Sequence, residues 1–138
     1  MELRTSLSND TDAYLAFAQE VAAFHERAAM PAHMAYAADM ALEELLTNII
    51  KYGYDAGGEH RIDVLLRLDG AGLFIRVEDD GHPFDPTAAP EPDITLPVQE
   101  RPIGGVGLLL VRRNFPHFLW RRENGKNITE LAMPAAAV

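Results

Sequence analysis

Ile62, Val64, Leu66 and Leu68 recur at every second residue, as do Leu73, Ile75 and Val77, and only Asp69-Gly70-Ala71-Gly72 separates the two runs. A period of two puts these side chains on one face of an extended chain, and a short Asp/Gly link folds such runs back on each other. The chain must therefore contain an antiparallel hairpin with one apolar face, and its second strand delivers Asp79 at its end. Further elements follow from the same logic. Leu3, Thr5 and Leu7 alternate with Arg4, Ser6 and Ser8, predicting a first strand over Glu2 to Ser8. Asn9 to Asp12 supplies cap chemistry for a helix starting near residue 11, with Tyr14, Leu15, Phe17, Val21 and Phe24 at helical spacing and Pro31 at its end. A second helix is expected over about 32–52, ended by Gly53 and the Gly57-Gly58 pair. A third should run from about Val106 to Asn114. The last hairpin joins His117 to Arg122 and Asn127 to Met133 through Glu123-Asn124-Gly125-Lys126. The order β α α β β, flap, α β β predicts an α+β fold: a two-layer α/β sandwich with a mainly antiparallel mixed sheet and helices on one face.

Composition sets outer bounds. A length of 138 residues, 48% hydrophobic and 24% charged, suits one globular domain over 1–138. There is no cysteine, which removes disulfides and thiolate zinc sites. Without a long apolar run or a basic-then-apolar leader, a membrane span is not expected and a cytoplasmic location is. The formal net charge of −9 opposes a nucleic-acid backbone, so macromolecular partners are expected to be proteins. One nucleotide is not excluded, because a phosphate pocket works through local amides and a metal ion.

Polar residues concentrate in the segments that carry the chemistry. Helical geometry turns Glu44, Asn48 and Lys51 the same way, with Leu42, Leu45, Leu46 and Ile49 opposite. Asp79-Asp80-Gly81-His82-Pro83-Phe84 is a turn at a strand end, and Gly104-Gly105-Val106-Gly107-Leu108 opens a helix. Each has an ordinary explanation alone: a solvated helix face, a turn, a helix start. Their occurrence in this order at element boundaries points to a nucleotide site. The second glycine segment is neither a P-loop nor a dinucleotide fingerprint. From Asp85 to Arg101 the chain is rich in Pro, Ala and acidic residues and reads as a flap. His25, His33, His60, His82 and His117 lack metal-ligand spacing and are assigned structural or solvent roles. Tyr14, Phe17, Phe24 and Trp120 are read as core or interface.

With these motifs in place, the chain resembles the gyrase, heat-shock-chaperone and histidine-kinase type ATPases, whose boxes are Glu-x-x-x-Asn, Asp-x-Gly-x and Gly-x-Gly-Leu. It resembles more closely the anti-sigma-factor serine/threonine kinases of bacterial partner-switching systems, through Asp79-Asp80-Gly81-His82-Pro83-Phe84 and Gly104-Gly105-Val106-Gly107-Leu108-Leu109-Leu110-Val111. The resemblance implies ATP with Mg²⁺ as cofactors and Asn48 as the metal's protein ligand. It implies phosphate or nucleotide contacts from Lys51, Arg101, Gly104, Gly105, Val106, Gly107 and Leu108, and base contacts from Asp79 and Gly81. Glu44 would be the catalytic base and 85–103 the ATP lid. Gly125-Lys126-Asn127 departs from the superfamily, which often has a Gly-Thr pair there. The implied protein binds a sigma factor, phosphorylates a serine on an antagonist and thereby regulates transcription, and it pairs as a homodimer through the first strand and helix. The alternatives are a nucleotide-sensing binding module with little or no kinase activity, or a domain cut from a larger ATPase.

Overall fold

The computed structural model describes residues 1–88, 95 and 105–135. Arg101, Gly104 and most of the expected lid lie outside the described residues. Strand β1 (Glu2–Ser8) leads into helices α1 (Thr11–Arg27) and α2 (Ala32–Tyr52), the hairpin β2 (Arg61–Asp69) and β3 (Gly72–Asp79), helix α3 (Gly105–Asn114), and the hairpin β4 (His117–Glu123) and β5 (Lys126–Pro134). Among the described residues the strands form one five-stranded sheet in the order β1-β2-β3-β5-β4, and every pairing is antiparallel.

Local chemistry sets the boundaries. Asp10 caps α1, its carboxylate accepting from Ala13 N at 2.8 Å. Pro31 stands at the N-cap of α2 and Gly53 at its C-cap. Asn124 and Gly125 both take positive φ, 51° and 76°, which is the backbone a two-residue turn needs to match strand twist.

The registers assign each residue to a face. Leu7, Ile62, Val64, Ile75, Val77, Phe118 and Leu131 point to the helical side and join Phe17, Phe24, Leu46 and Val111 in the core. The opposite face carries charge, paired both along and across the strands. Arg76 lies 3.6 Å from Glu78, Arg121 pairs with Glu123 and Glu130, and the Arg67 guanidinium sits 4.7 Å from the centre of the Phe74 ring. One face apolar and helix-covered, the other charged, is the pattern of a two-layer sandwich.

Along the helix-facing side the apolar character stops at one end of the sheet. In β3 the inward row reads Leu73, Ile75, Val77, Asp79, and in β5 it reads Met133, Leu131, Thr129, Asn127, with Val77 opposite Thr129 and Asp79 opposite Asn127. Asp79, Asn127 and Thr129 are the buried polar residues of the described chain, at 6%, 4% and 6% exposure. Buried polar groups persist only where they are hydrogen-bonded. The functional site is therefore sought at this end of the core.

Candidate functional site

A cavity of about 240 Å³ opens between the C-terminal half of α2 and this end of the sheet. Helix α2 lines it with Leu45, Asn48, Ile49 and Tyr52, the sheet with Val77, Asp79, Asn127 and Thr129, and the segment after β3 with His82, Phe84 and Pro86. Its wall is mostly aliphatic and aromatic with a few converging polar groups, as suits a flat heterocycle.

Asp79 sits at the floor. Gly81 N donates to its Oδ2 at 2.9 Å and Asn127 Nδ2 donates to the same oxygen at 3.0 Å. With both bonds on Oδ2, Oδ1 is the oxygen available to a ligand. Burial pushes the carboxyl pKa up. The Asn127 and Gly81 hydrogen bonds and the Arg122 charge oppose that rise, while Asp80 adds to it.

Asn127 is the centre of the surrounding network. Its Nδ2 also donates to His82 O at 2.9 Å, and its Oδ1 accepts from Phe84 N at 3.2 Å and Trp120 Nε1 at 3.1 Å. Arg122 Nη1 holds Gly81 O at 2.8 Å, and His82 N donates to Gly53 O at 2.9 Å. The turn after β3 is thus fastened to β4 and β5 on one side and to the end of α2 on the other. Gly81 is required by that second contact: a Cβ there would lie 2.6 Å from Gly53 O and 2.9 Å from Asp79 Oδ2. Further out, His60 stacks on Tyr54 with ring centres 4.1 Å apart, and its Nδ1 lies 3.2 Å from Asp80.

Glu44 and Asn48 meet on α2, with Asn48 Nδ2 donating to Glu44 Oε1 at 3.3 Å. A carboxylate only accepts, so this bond turns the amide nitrogen toward Glu44 and leaves the amide oxygen as a hard donor on the cavity side. Glu44 is half-buried. Burial raises its pKa, the Asn48 bond lowers it, Glu43 raises it and Lys51 lowers it. Gly107 of α3 packs directly beneath it: a Cβ there would come within 2.2 Å of the Glu44 carboxyl carbon. The missing side chain lets α3 begin beside the polar residues of α2, with its N-terminal amides close to that carboxylate.

The placements differ in part from expectation. Asn48 and Asp79 line one cavity, whereas Glu44 does not and is joined to it through its bond with Asn48. Lys51 is exposed and does not line it, although it lies close enough to act on Glu44. Leu45 and Ile49, expected on the opposite side of α2 from the polar stripe, line the pocket with Asn48. The cavity-facing stripe of α2 is partly apolar and continuous with the core, so Glu44 and Lys51 fall on its flank. Gly81 serves the packing of the turn, Gly105, Val106 and Gly107 open α3, and the Leu108 side chain is core at 2% exposure. His82, assigned a structural or solvent role, lines the cavity and anchors the turn through its backbone. Sequence reasoning missed Asn127, Thr129, Tyr52, Phe84 and Pro86 as wall residues.

The profile of the histidine kinase-like ATPase domain matches residues 7–133. The chain belongs to that family. Every described wall residue of the cavity falls inside the matched span, and membership implies that the domain binds ATP. Among proteins similar to this ATPase domain, the serine/threonine-protein kinase BtrW of Bordetella bronchiseptica is 28% identical over 137 residues, covering 99% of this chain and 93% of the relative. No helix among the described residues is long and apolar enough to cross a membrane.

The contact between Gly81 and Gly53 O yields a stability test. Gly81→Ala should cost about 1–3 kcal/mol in urea unfolding, because the opposing atom is backbone and cannot swing aside. Gly70→Ala, where an added Cβ meets nothing within 4 Å, should stay within about 0.5 kcal/mol of the parent. Equal costs at the two positions would contradict the close approach.

Proposed function

We propose that this chain is an ATP-dependent serine/threonine protein kinase of a partner-switching system, an anti-sigma factor that phosphorylates a serine on its antagonist protein. The observation that carries this reading is that Asp79 and Asn48 line one cavity, while Glu44 is hydrogen-bonded to Asn48 and packed on Gly107 of α3. The kinase name of a relative spanning nearly the full chain supports it.

Base recognition rests on Asp79. An ionised carboxylate accepts hydrogen bonds and donates none, so its free Oδ1 matches the exocyclic amine of adenine and repels the carbonyl that guanine presents at that position. The aliphatic wall of Leu45, Ile49 and Val77 receives the ring. The N-terminal amides and dipole of α3 would favour the negative charge of the triphosphate, and Lys51 and Arg101 would supply further cationic contacts. Asn48 Oδ1 suits Mg²⁺, an ion that keeps most of its water and phosphate ligands and takes few from protein. When bound, the ion would neutralise charge on the phosphate oxygens.

Glu44 acts on the attacking serine. Its carboxylate accepts the hydroxyl proton as the oxygen approaches the γ-phosphorus, and the bond from phosphorus to the bridging oxygen breaks with ADP as leaving group. The raised pKa makes Glu44 a stronger base than an exposed glutamate, and the Asn48 bond holds it in place. Residues 85–103 serve as the lid, closing on ATP to exclude water. Release of the phosphorylated antagonist would then leave the kinase free to hold the sigma factor.

Glu44→Gln should leave ATP binding unchanged by calorimetry while slowing radiolabel transfer to the antagonist about 10²- to 10⁴-fold. Equal transfer rates would remove Glu44 from the chemistry. Asp79 links binding to stability. Burial raises its pKa above the unfolded value, so the stability it contributes is present below the ordinary carboxylate range and lost as pH rises through the raised value. Asp79→Asn should therefore weaken ATP binding about tenfold to hundredfold, with a neutral-pH melting temperature no lower than the parent's. Undiminished ATP affinity would refute the contact with the base.

A further inference from the structure

Four hydrogen bonds converge on the side chain of Asn127, and each partner belongs to the wall or the support of the base pocket: Asp79 Oδ2, His82 O, Phe84 N and Trp120 Nε1. We propose that Asn127 is a specificity-determining positioning residue, which sets the orientation of the Asp79 carboxylate and so the choice of a 6-amino over a 6-oxo purine. The inference rests on the reading that Asp79 meets the base.

The geometry leaves Asn127 little freedom. It is 4% exposed, so its amide has no solvent to fall back on. Its two amide hydrogens are taken by Asp79 and His82 O, and its oxygen receives two N–H donors, which uses the capacity of the group. A flipped amide would set the nitrogen against Phe84 N–H and Trp120 Nε1–H, two donors with nothing to accept, and would set the oxygen against a carboxylate. One orientation is therefore fixed, and in it the nitrogen always faces Asp79.

The consequence falls on the carboxylate. Gly81 N and Asn127 Nδ2 together hold Oδ2, so rotation that would exchange the two oxygens breaks two bonds in a buried place. Oδ1 is left toward the cavity as an acceptor. Discrimination between purines needs that oxygen to be unprotonated and fixed, since a protonated carboxyl would donate to the carbonyl of guanine as readily as an ionised one accepts from adenine. The titratable and charged groups around the carboxylate are Arg122 beside the turn at Gly81 O, Asp80 next in sequence, Tyr54, which feels the Asp79 charge, and His82 in the same cavity wall. In β5, Asn127 is the neighbour that supplies a neutral donor instead of a second charge.

Asn127→Asp isolates this role. It keeps the size of the side chain and an acceptor for Phe84 N and Trp120 Nε1, and it replaces the donor facing Asp79 by an acceptor. The parent should bind ATP in preference to GTP. The variant should bind ATP about tenfold to hundredfold more weakly at about pH 8, with a reduced preference over GTP. Its ATP affinity should recover as pH falls, because a proton shared between the carboxylates at 79 and 127 restores the bridge. Should Asn127→Asp fail to fold, Asn127→Ser removes the bridge without adding charge and should also lower the ratio of ATP to GTP affinity. A merely structural Asn127 would lower melting temperature in these variants while leaving the ratio intact and adding no pH dependence beyond the parent's, and that result overturns the proposal. A parent that binds no adenine nucleotide would instead overturn the base-pocket reading beneath it.

Discussion

The bridge between Asp79 and Asn127, from the last residue of β3 to the first turn of β5, is the contact on which the site depends. It joins residues 48 positions apart in the chain and both are buried. A carboxylate in that position is costly unless donors surround it, and the donors come from the Asn127 amide and the Gly81 backbone. The same bonds that make the buried charge tolerable fix the turn after β3 against the sheet. The cavity wall and the local fold are thus one network.

That network explains why the sheet ends as it does. Core packing dominates along the inward rows until Val77 and Leu131, after which Asp79, Asn127 and Thr129 replace aliphatic side chains. The layer of helices continues past the apolar core, so α2 and the sheet enclose a cavity instead of closing on each other. Gly53, Gly81 and Gly107 occur where backbone or the Glu44 carboxylate comes too close for a Cβ. The first two join α2 to the turn after β3 and the third joins α3 to Glu44. Small residues here shape the pocket as directly as large ones.

Much of the fold was legible because its signals are periodic. Alternation in β2 and β3, the Asn124-Gly125 turn and the capping residues before α1 each specify one local structure, and the observed boundaries fall within a residue or so of expectation. The cavity was legible in part where a motif is local: Asn48 on its helix and Asp79 before its turn both line it. It was not legible where the signal is a register. Asn127 and Thr129 have the same parity as Leu131 and Met133, which places them inward, but their meaning depends on pairing with a strand about fifty residues earlier. The cavity stripe of α2 was misjudged for a related reason. A pocket wall built from Leu45 and Ile49 has the same periodicity as a core face, so hydrophobic spacing alone cannot separate the two.

Spectra of amide and side-chain N–H groups during titration with magnesium-bound ATP test the central claim most directly. If one cavity joins the residues named above, the largest shifts should fall on Asn48, Gly81, the Asn127 side-chain amide, Thr129 and the first turn of α3, and they should saturate together at a single affinity. Shifts confined to the charged outer face of the sheet, or separate affinities for the α2 and β5 groups, would contradict it.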